Sequence, residues 1–159
     1  GAREAGGNIT ASAEFNIHAD PHAAHIVLGC GRPITMIGLD ATLQLRCTAE
    51  RMARLKASSH PAVQAARAMV EHVNRVYGTI YETQGAALHD PCTIGYLLAP
   101  ALFTTRPARV AIETNAGLTR GHTAVDFQVT TGAPANVNWV TSLEAERLFD
   151  LLVARMEAL

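Results

Sequence analysis

What the sequence lacks narrows its reading first. It has no excess of either charge: 13 Lys and Arg stand against 14 Asp and Glu, a formal net charge of -1. The basic residues Arg46, Arg51, Arg54, Lys56, Arg67 and Arg75 are scattered. There is thus no electrostatic footprint for nucleic acid or an anionic membrane surface. No apolar run approaches a membrane span, and the run IGYLLAPALF is broken by Pro100. The three cysteines, Cys30, Cys47 and Cys92, are odd in number and show no CxxC spacing. They read as free thiols of a reducing, cytoplasmic compartment. No signal peptide is visible, and the chain opens GAREAGG without Met. A processed chain or a fragment is the expectation. Repeats and low-complexity segments are missing too.

What is present is globular. With 159 residues, 48% hydrophobic and 17% charged, the chain can bury a core of one domain or partial domain over 1–159. GAREAGGNITASAEF reads as a loop running into a short extended piece. DPHAAHIVLG reads as a helix capped by Asp20 and stopped near Gly29. RPITMIGLD looks like a buried parallel strand. TAERMARLKAS is a short amphipathic helix. HPAVQAARAMVEHVNRVYG places Val63, Ala66, Met69, Val70, Val73 and Val76 or Tyr77 on one stripe of a longer helix, ended by Gly78. DPCTIGYLLAP is a further helix, almost wholly apolar and so expected to be buried, with Asp90 as its cap and Pro91 at its first position. ARVAIET, HTAVDFQV and NVNWVTS look like strands, the first two joined by a turn at NAGLTRG. SLEAERLFDLLVARMEAL is a terminal helix opened by a capping box of Ser142 with Glu144 and Glu146. The pattern is α/β: part of an open, mostly parallel sheet flanked by helices, with an appended β-hairpin. The strands are few for a complete sheet, so a larger domain is expected, with an apolar face left exposed.

In open α/β sheets, ligands bind on loops at the carboxyl ends of strands. Two polar clusters fall on such loops. GGNITASAEFN holds Asn8, Glu14 and Asn16. Glu14 and Asn16 share a side if the segment is extended, and a carboxylate with an amide could hold sugar hydroxyls. GAALHDP holds His89 and Asp90. The residues alone leave open whether these are ligand groups, solvated loop residues or, for Asp90, a helix cap. His22 and His25 lie three apart, with His18 nearby, but no Cys or carboxylate partner stands at zinc-ligand spacing, which weighs against a metal site there.

Taken in order, GGNITASAEFNIHADPHAAHIV, ITMIGLDAT, GAALHDPCTIGYLL, LFTTR and GLTRGHTAVDF resemble the nucleoside hydrolases of the inosine-uridine-preferring type. The nearest likeness is to the pyrimidine-specific ribonucleoside hydrolases. The resemblance runs over essentially the whole chain but matches the C-terminal half of the family. The family's N-terminal aspartate cluster, DTDPGxDDA, would lie upstream; in the family it carries most calcium ligands and the general base. The resemblance implies calcium as cofactor, with Asp90 as a ligand that also touches a ribose hydroxyl. It implies His89 beside the leaving base, placed to donate to it. Asn8 and Glu14 would hold the 5′ side of the ribose and Asn16 the 2′/3′ diol. Tyr81 and Tyr77 would flank the base from a helical region that varies with substrate class. The stretch VYGTIYETQGAALHD departs from related members and leaves base preference open. The implied reaction is hydrolysis of the N-glycosidic bond of ribonucleosides, through an oxocarbenium-like state. The implied partners are a ribonucleoside and a second copy of the chain or the N-terminal half. Little activity is expected of these 159 residues alone. The alternative is a non-catalytic relative that binds ribosides or a partner.

Overall fold

The computed structural model describes residues 1–81 and 85–159, and over 77–81 the helix backbone alone. The chain divides into two compact units, Gly1–Ala41 with Phe103–Ser142, and Thr42–Leu102 with Leu143–Leu159. Among the described residues the elements run α1 (Phe15–Ala19), α2 (Pro21–Leu28), β1 (Thr35–Met36), α3 (Leu39–Thr42), α4 (Ala49–Ala57), α5 (Pro61–Tyr81) and α6 (Pro91–Leu98). A 3-10 turn (Pro100–Leu102), β2 (Phe103–Ile112), β3 (Thr123–Asp126), β4 (Val137–Leu143) and α7 (Ala145–Glu157) complete the order.

The first unit holds the sheet, a four-stranded one in the order β1-β4-β2-β3. β1 runs parallel to β4, with Thr35 opposite Asn138 and Met36 opposite Trp139. β2 and β3 form the expected antiparallel hairpin, Val110 opposite Val125. Alternation along β2 and β4 puts Ala108, Val110, Ile112, Val137 and Trp139 into the core, and Ile17, Ala24, Leu28, Ile34 and Met36 pack against them. Asn136 ties this core together: its Oδ1 accepts from Val110 N at 2.8 Å, and its Nδ2 donates to Leu28 O and Val110 O. α2 begins as expected, with Asp20 Oδ1 accepting from Ala23 N at 2.9 Å and Pro21 in the first position. β1 differs from expectation. It pairs over two residues only, and both are half-buried.

The second unit is helical. Leu45, Cys47, Leu55, Val63, Cys92, Leu148, Phe149 and Val153 are buried there. Arg51 is buried with them, its guanidinium bonded to Glu146 Oε1 and Arg46 O, both at 2.6 Å, and lying over the Phe149 ring. Thr48 Oγ1 accepts from Arg51 N and opens α4. Several expectations fail in this unit. α5 passes through Gly78 to Tyr81, because glycine weakens a helix without ending it. Its stripe is buried at Val63, yet Met69 is 68% and Val76 42% exposed. α6 buries only Cys92 and Gly95, while Ile94, Leu97 and Leu98 are exposed. At α7 the cap position falls to Glu144, not Ser142, and no side-chain cap bond forms; the Glu144 carboxylate takes both bonds from Arg147 Nη1 instead.

Candidate functional site

The first cluster lies on a loop whose backbone is fixed by its own turns. Gly7 N donates to Ala11 O, and the amides of Asn8, Ile9 and Thr10 all reach Ala13 O. A Cβ on Gly7 would stand 2.0 Å from Thr10 O, so only glycine fits there. Thr10 Oγ1 accepts from Ala13 N at 2.9 Å. Ala13 pairs with His122, whose Nδ1 lies 3.2 Å from Ser12 O. The loop's start is clamped by Asp40: Oδ2 accepts from Arg3 N at 2.7 Å, and Oδ1 from Glu4 N at 2.9 Å and Ala5 N at 2.7 Å. Arg3 also lies over the Phe127 ring.

On this loop Asn8, Glu14 and Asn16 gather at the start of α1. Asn8 Oδ1 accepts from Phe15 N at 2.8 Å and so serves as a remote cap of α1, since Glu14 at the cap position makes no such bond. Asn16 Nδ2 donates to Glu14 Oε1 at 2.9 Å. Glu14 and Asn16 therefore meet, although Asn16 is in a helical turn and not in an extended segment. Glu14 Oε2 is bonded by the Gly1 nitrogen, and the side chain is 15% exposed. Asn8 and Asn16 are exposed.

The second cluster lies in the second unit. Residues 85–88 are strapped to 45–47: Cys47 N donates to Ala86 O and Leu88 N to Leu45 O, both at 2.8 Å, and Arg46 pairs with Ala87. Asn74 Oδ1 accepts from Ala86 N at 2.6 Å. The strap delivers His89 and Asp90 to the start of α6. His89 Nδ1 meets Thr42 Oγ1 at 2.7 Å, and Thr42 is buried. Asp90 is not the expected cap. Its backbone is already helical (φ -66°, ψ -36°), and its carboxylate receives no N–H of the first turn. A capping side chain needs an extended backbone to fold back over the helix end. The carbonyl of Asp90, by contrast, accepts from Thr93 N and Thr93 Oγ1. The exposed Asp90 carboxylate is thus unspent on the helix it precedes.

Cys92 is inert in this setting. Burial, then the nearby charge of Asp90, pushes its thiol up to about 11, and Sγ donates to Leu88 O. Among the described residues no three His, Cys, Asp or Glu side chains converge on a metal-sized site. The side chains of Tyr77 and Tyr81 lie outside the described residues. Sequence reasoning missed Asp40 and Thr42. Asp40 had a signal, a carboxylate ending the apolar run ITMIGL. Thr42 had none, because its partner is 47 residues away.

The inosine-uridine preferring nucleoside hydrolase family profile matches residues 1–150. A pyrimidine-specific ribonucleoside hydrolase RihA of a Shewanella species (strain ANA-3) is 43% identical over 152 residues, 92% of this chain and 46% of that protein. A purine-preferring ribonucleoside hydrolase from Gardnerella vaginalis shares the fold with a TM-score of 0.83 at 29% identity, over 96% of this chain and 48% of that one. A plant nucleoside hydrolase superposes with a TM-score of 0.85 at 26% identity, over 95% and 49%. The α/β fold is that of the nucleoside hydrolases. The chain belongs to the inosine-uridine preferring nucleoside hydrolase family. It spans about half the length of the curated relatives it matches.

Proposed function

We propose that the protein hydrolyses the N-glycosidic bond of ribonucleosides, giving ribose and the free base, with pyrimidine nucleosides preferred. Family membership and 43% identity to a pyrimidine-specific relative support the reaction class. The observation that carries the assignment to residues is the start of α6: a histidine ring held through Nδ1 and a carboxylate not used as a cap.

The bond that breaks is C1′–N, and its electron pair leaves with the base. Water supplies the hydroxyl that ends on C1′. His89 donates a proton or hydrogen bond to the departing base, the role histidine fills well near neutral pH. Glu14 and Asn8 bind the 5′ side of the ribose and Asn16 the diol. The carboxylate of Glu14 favours the positive charge that builds on the ring, and Asn16 holds Glu14 in place. Tyr77 and Tyr81 are assigned to the base. Activation of the water is not given to any residue of this chain.

A calcium ion takes about six to eight oxygen ligands. Among the described residues no three His, Cys, Asp or Glu side chains are grouped to hold a metal, and Asp90 is a single carboxylate. Asp90 is proposed as one ligand of a site completed by parts of the family domain beyond these residues. When bound, calcium would supply a positive charge to position water. A cytoplasmic location and association with a second copy or the other half of the domain belong to the same reading.

The test is Asp90→Ala in the full-length protein, followed by calcium titration and ribose release. Both calcium affinity and turnover should fall at least about tenfold, the scale for a lost metal-site interaction. Unchanged calcium affinity would remove Asp90 from the metal site.

A further inference from the structure

We propose that Thr42 is a positioning residue for His89, the group that fixes the imidazole in its working orientation. The inference rests on the catalytic role given to His89 above. The contact is 2.7 Å, between Thr42 Oγ1 and His89 Nδ1. It joins residues 47 apart in sequence and lies within the second unit.

Both ends of the contact are held. Thr42 is 4% exposed, between Ala41 and the fully buried Leu45, and its carbonyl accepts from Leu45 N at 3.1 Å. A β-branched side chain in a helical turn has few rotamers, so the hydroxyl has little freedom. On the other side, Leu88 N is bonded to Leu45 O, and Cys92 N to His89 O. The same segment, 42–47, therefore fixes the hydroxyl and the backbone that carries the ring.

The chemistry follows from the two ring nitrogens. A hydroxyl can accept from Nδ1–H or donate to bare Nδ1, so the contact survives in either state. With Nδ1 engaged, the proton used by the reaction is carried on Nε2. The ring cannot flip to exchange the two nitrogens without breaking the bond. This is the job a carboxylate or carbonyl does behind many functional histidines, done here by a buried hydroxyl. Valine would fill the same volume.

The test uses the full-length protein with T42V, which keeps the shape and removes the hydroxyl, and T42S, which keeps the hydroxyl. T42V should lower kcat about tenfold with KM within about threefold, a part of the 10²–10⁴-fold that a positioned proton donor provides. T42S should restore most of the rate. In the H89A background T42V should cost nothing further. The ¹⁵N resonance of His89 Nδ1 should move in T42V and stay in T42S. Equal losses in T42V and T42S, or an undiminished loss in the H89A background, would show that Thr42 only packs, and would overturn the inference. So would H89A being impaired while T42V turns over normally. If H89A itself turns over normally, the role of His89 fails, and the inference falls with it.

Discussion

Removing the Asp40 carboxylate should release the start of the loop that carries Asn8 and Glu14. Three amides converge on it, Arg3 N and Ala5 N at 2.7 Å and Glu4 N at 2.9 Å. A hydrogen bond to a charged acceptor contributes about 1.5–3 kcal/mol when buried; at this half-exposed site about 1 kcal/mol each is the reasonable figure. Asp40→Ala then removes about 3 kcal/mol from the free energy that holds the loop closed, a factor of about a hundred in its opening equilibrium. Hydrogen exchange at Arg3, Glu4 and Ala5 should quicken by that factor, up to the limit set by unprotected amides. Asp40→Asn is a sharper variant. Its amide oxygen can keep Glu4 and Ala5, but its NH₂ meets the Arg3 N–H donor to donor, so acceleration of about tenfold centred on Arg3 is expected. Ribonucleoside KM should rise in both, because the residues assigned to the ribose ride on the same loop. Unchanged exchange over residues 3–5 in Asp40→Ala would refute the reasoning. Acceleration spread evenly over the first unit would refute it too, since that marks global unfolding.

Two further predictions concern the packing behind the second cluster. Cys92, pushed up to about 11 by burial and then by Asp90, should resist iodoacetamide at pH 8 while the exposed Cys30 reacts; equal rates would contradict the buried placement. Because the raised value disfavours the thiolate in the fold, its contribution to stability is intact below the ordinary 9.0 and is lost as pH rises towards 11. Gly95→Ala would bring a Cβ within 2.3 Å of Leu148 Cδ1, a side chain with no exposure, so a loss of about 1–3 kcal/mol is expected by thermal melting. A melting temperature within about 1 °C of the parent would show that Leu148 can yield.

Some local signals were read correctly, and distant ones were not. Asp20 before Pro21 announced a capped helix, because the cap and its target amide lie three residues apart. The turn NAGLTRG between two β-branched runs announced the hairpin. LHDP shows the limit. The same Asp-Pro pair that caps α2 does not cap α6, since Asp90 is drawn into helical backbone where the 85–88 strap ends. Gly78 misled because one glycine costs a helix only about 1 kcal/mol, less than neighbouring turns can supply. The candidate residues Asn8, Glu14, Asn16, His89 and Asp90 were all named from the sequence. What holds them in place was not: Asp40 reaches back 35 to 37 residues and Thr42 forward 47. Tertiary hydrogen bonds of that kind leave no periodicity or spacing to detect.

The most direct measurement is release of reducing sugar and free base from uridine by the full-length protein, with cytidine and inosine in parallel. Ribose and base should appear in equal amounts, fastest from a pyrimidine nucleoside, and release should drop sharply in H89A. A folded protein that binds uridine and releases neither product from any of the three would contradict the account.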